Sequence, residues 1–140
     1  MVKIIKNGRV IDPESRFDGR ADLWIENGKI QKIVKKDTKA ESDAASDAPS
    51  IPADAEVLDA EGLIVAPGLV DVHVHFRDPG LTHKGDFATE SAAAAAGGVT
   101  SVIDMPNTVP AAVTPELLDE KFSIAAKTSS VNYSFMIGAS

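Results

Sequence analysis

The order of β-like and helical segments after residue 67 limits the fold more than any other feature of this sequence. Short apolar runs at residues 69–76, 100–105 and 131–137 alternate with helical stretches that begin near residues 82 and 115. Strands that alternate with helices form parallel sheets, because each helix crosses back over the face of the sheet. The segment is therefore predicted as β-α-β-α-β, the start of an α/β domain.

Both predicted helices carry signals at their first turn. Thr114 is a suitable N-cap and Pro115 a suitable first helical residue. Thr82 is the predicted N-cap of the earlier helix, with Gly85 where a capping box would have glutamate. Replacing Gly85 by glutamate is therefore expected to stabilise that helix, which ends at the glycine pair after residue 96.

Residues 1–66 are predicted as a small antiparallel β unit. Apolar runs flank Asn7-Gly8 and Asn27-Gly28, and Asn-Gly favours the positive φ angles of a two-residue hairpin turn. A third pair of runs flanks Glu61-Gly62. Between the hairpins, residues 37–55 are small, polar and acidic, so they are predicted to form a mobile loop.

The strand at residues 69–76 carries an unusual row of polar side chains. Side chains alternate along a strand, so His73, His75 and Arg77 are expected on one face and Phe76 with the valines on the buried face. Imidazoles bind metals, and a guanidinium pairs with a carboxylate. The same pattern fits core histidines or a solvated strand end. Asn107 follows the next strand, and it is expected at the same rim of the sheet.

These motifs resemble the first third of the dihydroorotases, a family of the amidohydrolase superfamily. The resemblance rests on HVHFRDPG at residues 73–80, on THK at residues 82–84 and on MPNT at residues 105–108. It covers most of the chain outside residues 36–55.

The resemblance implies a role for each residue of the polar row. His73 and His75 would bind the first of two zinc ions. Arg77 and Asn107 would bind the substrate carboxylate, and His75 would also be a substrate-binding residue. His83 matches the family string but is assigned no ligand role.

The implied fold is the N-terminal part of a β-sandwich (residues 1–66) followed by the first three strands and two helices of a TIM-type (β/α)8 barrel (residues 67–140). The implied activity is zinc-dependent interconversion of (S)-dihydroorotate and N-carbamoyl-L-aspartate in pyrimidine (UMP) biosynthesis. The catalytic Asp and further zinc ligands are expected beyond Ser140, so the chain is expected to be inactive alone.

Other functions stay open from the sequence. One is another cyclic amidohydrolase, an allantoinase or a dihydropyrimidinase. The other is a non-catalytic dihydroorotase-like fragment that acts as a partner of an aspartate carbamoyltransferase; a homodimer is also compatible with the sequence.

Length and charge exclude several classes of partner. The 140 residues are well short of the roughly 250 of a complete eight-stranded barrel. A net charge of −7 without a basic run argues against nucleic acid, and the absence of cysteine excludes thiolate ligands. No apolar run reaches the length of a membrane span, so a cytoplasmic protein without membrane contact is expected.

The composition of residues 37–55 leads to a test by limited proteolysis. A segment without aromatic residues cannot bury enough apolar surface to offset its chain entropy. We expect the first cleavage within it, read by mass spectrometry of the early fragments. Slow hydrogen exchange across the segment would contradict the expectation.

Overall fold

The computed structural model describes residues 1–36 and 49–139, which form two compact units, Met1–Pro67 and Gly68–Ser140. Residues 37–48 of the predicted mobile loop lie outside the described residues, so its mobility stays a prediction. Within the described ranges, no helix is long and apolar enough to cross a membrane.

The described residues of the first unit form one mixed sheet of five strands around the long first strand. The strands are β1 (Val2–Asp12), β2 (Phe17–Glu26), β3 (Lys29–Lys35), β4 (Glu56–Asp59) and β5 (Ile64–Val65). The order is β3-β2-β1-β4, with β5 also on β1. The Asn27-Gly28 hairpin is confirmed, with φ angles of 52° and 72° at its two turn residues.

The hairpin predicted at Asn7-Gly8 is wrong, because β1 runs straight through this dipeptide. The pairing register of β1 with β2 shifts between Ile5 and Gly8, which makes a bulge with φ of 66° at Asn7. Asparagine tolerates this angle in a bulge as well as in a turn. A Cβ at Gly8 would lie 2.6 Å from the Cγ2 atom of Val65, so glycine also allows β5 to approach.

The third predicted pair of strands is also wrong in its pairing. β4 and β5 do not pair with each other across Glu61-Gly62; each pairs in parallel with β1, β4 at Lys3–Lys6 and β5 at Arg9–Val10. The Leu63 carbonyl accepts a hydrogen bond from the Arg9 amide at 2.9 Å, which joins the turn to the same edge. The unit is therefore mixed rather than antiparallel.

The second unit confirms the predicted β-α-β-α-β order. Its elements are β6 (Leu69–Val74), α1 (Phe87–Ala96), β7 (Val99–Asp104), α2 (Pro115–Thr128) and β8 (Asn132–Phe135). The three strands are parallel in the order β6-β7-β8. Phe76, Phe87, Val102, Ala125 and Phe135 form the buried core of this unit.

The prediction that β6 is buried is wrong. Leu69, Val70 and Val72 are 61%, 63% and 57% exposed, whereas Phe76, beyond the end of the strand, is 5% exposed. The helices of this unit pack on β7 and β8, and no element among the described residues of the unit covers these β6 side chains. The apolar sequence of a strand predicts that it will be buried, but it does not identify the element that packs against it.

Thr82 is not the N-cap of the first helix. Helix α1 begins at Phe87, and the carboxylate of Asp86 accepts the Thr89 N–H at 2.8 Å. Thr82 lies in a preceding turn, where the Lys84 N–H bonds the Leu81 carbonyl. The capping argument for Gly85→Glu is therefore wrong.

The other predicted helix ends are confirmed. Thr114 caps α2, since its hydroxyl accepts the Leu117 N–H at 3.4 Å, and Pro115 is the first helical residue. Helix α1 ends at Ala96 with Gly97 as its C-cap, and Gly98 has a φ of 84° that favours glycine.

Asp86 rather than Thr82 should control the stability of α1. The N–H and the hydroxyl of Thr89 hold the pKa of Asp86 below its usual value. A lowered pKa gives stability that is present above the unfolded-state pKa of about 3.9 and is lost as the pH falls through the folded-state value. We expect Asp86→Ala to lower the melting midpoint at pH 7 but much less at pH 3, and Thr82→Ala to leave it unchanged. Equal effects of the two substitutions would contradict this assignment.

Candidate functional site

His73 and His75 lie side by side at the end of β6. The pairing of β6 with β7 shifts between Asp71 and Val74, and the Asp71 carboxylate accepts the His73 N–H at 3.0 Å. The two imidazole centroids are 5.1 Å apart, with an angle of 73° between the rings, and both residues are exposed. The structure therefore brings together the two side chains predicted to bind metal.

Asn107 reaches the same place from the end of β7. Its Oδ1 lies 2.9 Å from Nδ1 of His75. Because an amide oxygen only accepts, Nδ1 is the donor in this contact, and in the neutral imidazole Nε2 then has the lone pair that a metal needs. The Asn107 amide nitrogen is left as a donor for another ligand. The predicted meeting of the two strand ends is thus observed.

Arg77 is placed differently from the other predicted site residues. Strand β6 ends at Val74, and Arg77 has a φ of 69°, so strand alternation does not extend to it. It is half-buried, and its carbonyl accepts the Leu81 N–H at 3.0 Å. Within the described part of the chain, its guanidinium forms no hydrogen bond with either histidine or with Asn107. The loop after β6, not the strand, sets its position.

The loops that follow β6 and β7 contact each other directly. The Val109 N–H donates to the Pro79 carbonyl at 3.1 Å. A Cβ at Gly80, where φ is 84°, would collide with the carbonyl oxygen of Val109, so glycine is needed for this approach. Both the Asp78-Pro79 and the Val109-Pro110 peptide bonds are cis. The two loops therefore form one surface beside the histidines.

Asp78 in the first of these loops has a perturbed pKa. Burial is the largest cause and raises the pKa above its usual value, and the charges of Asp86 and Asp104 act in the same direction. The Phe87 N–H and the charge of Lys121 partly oppose the shift. The loop beside the histidines thus holds a carboxyl that ionises less readily than a solvated one.

A buried ion pair under the site is the main feature that sequence reasoning missed. Asp104 Oδ2 lies 2.6 Å from Nζ of Lys121, and both side chains are almost fully buried. The signal was available: Lys121 stands at helical spacing from Leu118 and Ala125, both packed in the core. Asp104 ends an apolar strand, and the residues around it in the sequence give no sign of its buried partner.

The described residues supply part of a metal site. A catalytic zinc commonly has three protein ligands, and two imidazoles lie together here. In residues 1–36 and 49–139, no group of three or more His, Cys, Asp or Glu side chains is arranged to hold a metal. The pair fits two positions of a zinc coordination sphere, and further ligands would have to come from elsewhere.

Comparison with known proteins identifies the family. The sequence model described as "Dihydro-orotase-like" matches residues 62–138, the segment that contains His73, His75, Arg77 and Asn107. The chain belongs to the dihydroorotase-like family. Dihydroorotase of Streptococcus thermophilus is 50% identical over 124 residues, and that of Streptococcus pneumoniae is 48% identical over the same length. Each match covers 89% of this chain and 26% of the relative, so the chain spans about a quarter of these proteins.

Solved structures of related enzymes share the fold. An L-hydantoinase (dihydropyrimidinase) from Arthrobacter aurescens is 33% identical with a TM-score of 0.78, and the match covers 95% of this chain and 27% of that one. A D-hydantoinase is 30% identical with a TM-score of 0.74, over 96% of this chain and 26% of the other. The mixed sheets and few helices of this chain thus agree with part of an amidohydrolase domain.

The contact between His75 and Asn107 should affect metal binding. A hydrogen bond to the distal nitrogen of a ligating histidine orients the ring, and its loss commonly weakens metal affinity about tenfold or more. We expect Asn107→Ala in the full-length protein to weaken zinc binding by that factor, measured by competition with a chromophoric chelator. Asn132→Ala is the matched control, because its amide donates to the Ser101 hydroxyl in a 3.4 Å bond. Equal zinc affinity of the wild type and Asn107→Ala would contradict the role of this contact.

Proposed function

We propose that this chain is a segment of a dihydroorotase that interconverts (S)-dihydroorotate and N-carbamoyl-L-aspartate in pyrimidine biosynthesis. The observation that carries the proposal is the group of His73, His75 and Asn107 at the carboxyl ends of two parallel strands, in a member of this family. Active sites of (β/α)8 barrels are built at that end of the strands. Residues 67–140 would be the first three strands and two helices of such a barrel, and residues 1–66 part of the adjoining β-sandwich.

His73 and His75 would hold zinc in the complete site, one of two ions. Bound zinc supplies polarisation of the cyclic amide and an activated water near neutral pH. Asn107 can accept from Nδ1 of His75, which would leave Nε2 of the neutral imidazole as the ligand nitrogen. The remaining ligands and the catalytic Asp would lie outside residues 1–140, so the isolated segment would be inactive.

Arg77 and Asn107 would bind the carboxylate of the substrate. A guanidinium offers two parallel donors that match a carboxylate, and the amide nitrogen of Asn107 can add a third. Arg77 comes from the loop after β6, which contacts the loop after β7 through the bond from the Val109 N–H to the Pro79 carbonyl. The contact of Asn107 with His75 and the position of Arg77 in the adjoining loop support this carboxylate site.

A second candidate substrate class follows from the structural relatives. The L-hydantoinase match at a TM-score of 0.78 favours a cyclic amidohydrolase acting on a hydantoin or a dihydropyrimidine. Dihydroorotate differs from dihydrouracil by a carboxylate, which is the group that Arg77 would recognise. The presence of Arg77 in the loop after β6 therefore favours the acidic substrate.

The test is an assay of the full-length protein with zinc on dihydroorotate, dihydrouracil and hydantoin under identical conditions. We expect turnover of dihydroorotate to dominate. Preferred turnover of either neutral ring would assign the second candidate function. We further propose that the full-length protein acts on this small-molecule substrate in the cytoplasm. It would assemble as a homodimer or with an aspartate carbamoyltransferase.

Two substitutions should separate substrate binding from metal binding. Arg77→Lys keeps the charge but loses the planar fork, so KM for dihydroorotate should rise on the order of tenfold with zinc content unchanged. His73→Ala should lower zinc content, measured by atomic emission. Arg9→Lys is the control, because Arg9 pairs with Asp18 on the exposed surface of the first unit. An unchanged KM in Arg77→Lys would contradict the substrate role.

A further inference from the structure

We propose that the side chain of Asp104, buried in its ion pair with Lys121, is a positioning group that fixes the backbone next to His75. In its metal-binding aspect the inference rests on the proposed function. In its structural aspect it rests only on four hydrogen bonds. Neither Asp104 nor Lys121 contacts the imidazoles in the structure, so Asp104 would act through the strand end.

The carboxylate of Asp104 joins the strand end to the helix. Its Oδ1 accepts the Phe76 N–H at 2.8 Å, and its Oδ2 accepts from Nζ of Lys121 at 2.6 Å. The peptide that carries the Phe76 N–H also contains the carbonyl of His75. One buried side chain therefore binds the backbone immediately after the predicted metal ligand.

The backbone immediately before His75 is bound by the next residue of β7. The Met105 N–H donates to the Val74 carbonyl at 3.0 Å. Lys121 in turn donates to the Met105 carbonyl at 2.9 Å. Residues 104 and 105 thus hold both neighbours of His75, and Lys121 holds both of those residues.

Stability alone gives no reason for an ion pair at this place. Bringing two charges out of water costs free energy, and a well-packed apolar pair of similar size is often equally stable. An apolar side chain at position 104 would, however, leave the Phe76 N–H without an acceptor in a buried setting. The face of Phe135, whose centroid is 5.0 Å from the Lys121 nitrogen, further fits a cation. The Asp104 carboxylate is therefore explained by the acceptor that the Phe76 N–H needs, and not by the stability of the ion pair.

Two double variants of the full-length protein isolate the acceptor from the charge. Asp104→Asn/Lys121→Met removes both charges and keeps an oxygen for the Phe76 N–H. Asp104→Leu/Lys121→Met removes both charges and the acceptor. Ser91→Ala is the matched control, because the buried Ser91 hydroxyl accepts the Ser130 N–H at 2.9 Å, just before β8.

The first readout is hydrogen exchange of single amides in the metal-free protein, which needs neither zinc nor activity. In the leucine variant we expect exchange at Phe76 to be about tenfold faster or more, with Ser130 unchanged. In the asparagine variant we expect Phe76 to exchange within about threefold of the wild type, since the acceptor remains. Ser91→Ala should accelerate Ser130 and leave Phe76 as it is.

The second readout is zinc affinity. We expect it to fall about tenfold in the leucine variant and to stay within about threefold in the asparagine variant, as for other groups that orient a ligand.

Equal exchange at Phe76 in the two double variants, or an equal change in Ser91→Ala, would overturn the inference. A wild type that binds no zinc would instead overturn the proposed function, while the exchange data still decide the role of Asp104. If the leucine variant does not fold, Asp104→Ala/Lys121→Met takes its place. Unfolding of both acceptor-free variants beside a folded asparagine variant would assign Asp104 a structural role and overturn the inference.

Discussion

The burial of Phe76 is the constraint on which the candidate site depends. Its ring packs edge-on against Phe87, with 5.3 Å between the ring centroids. Phe87 packs in the same way against Phe135, with 5.6 Å between the centroids. These contacts hold the chain just past the end of β6 in the core of the second unit. The adjacent His75 stays exposed, while the half-buried Arg77 enters the loop beside it. A hydrophobic contact therefore determines where the polar chemistry can occur.

Much of the second unit was predictable because its signals are local. The alternation of strands and helices, the Thr114-Pro115 start of α2 and the glycine end of α1 each need only a few neighbouring residues. The meeting of His75 and Asn107 was predictable for a topological reason, since the carboxyl ends of parallel strands share one rim. The family resemblance supplied roles that residue pattern alone left open.

The errors arose where several local signals compete or where a distant partner decides. Thr82 and Asp86 are both good N-caps, and the choice depends on where Phe87 enters the core. Asn7-Gly8 has the composition of a turn, but β5 approaches Gly8 and the dipeptide becomes a bulge instead. The Asp104–Lys121 pair joins residues 17 positions apart, and only the packed helix reveals it. In each case the deciding interaction is tertiary.

The long strand β1 has a consequence for how the first unit tolerates change. Two short strands, β4 and β5, pair in parallel with β1. Both follow the connection between β3 and β4 in the sequence. The entropy of closing a loop grows only with the logarithm of its length, so doubling such a connection costs roughly 0.6 kcal/mol. Insertions between β3 and β4 are therefore thermodynamically cheap, whereas a single added methyl group at Gly8 meets Val65 directly. The first unit should therefore tolerate a change in the length of the β3–β4 connection better than a side chain at Gly8.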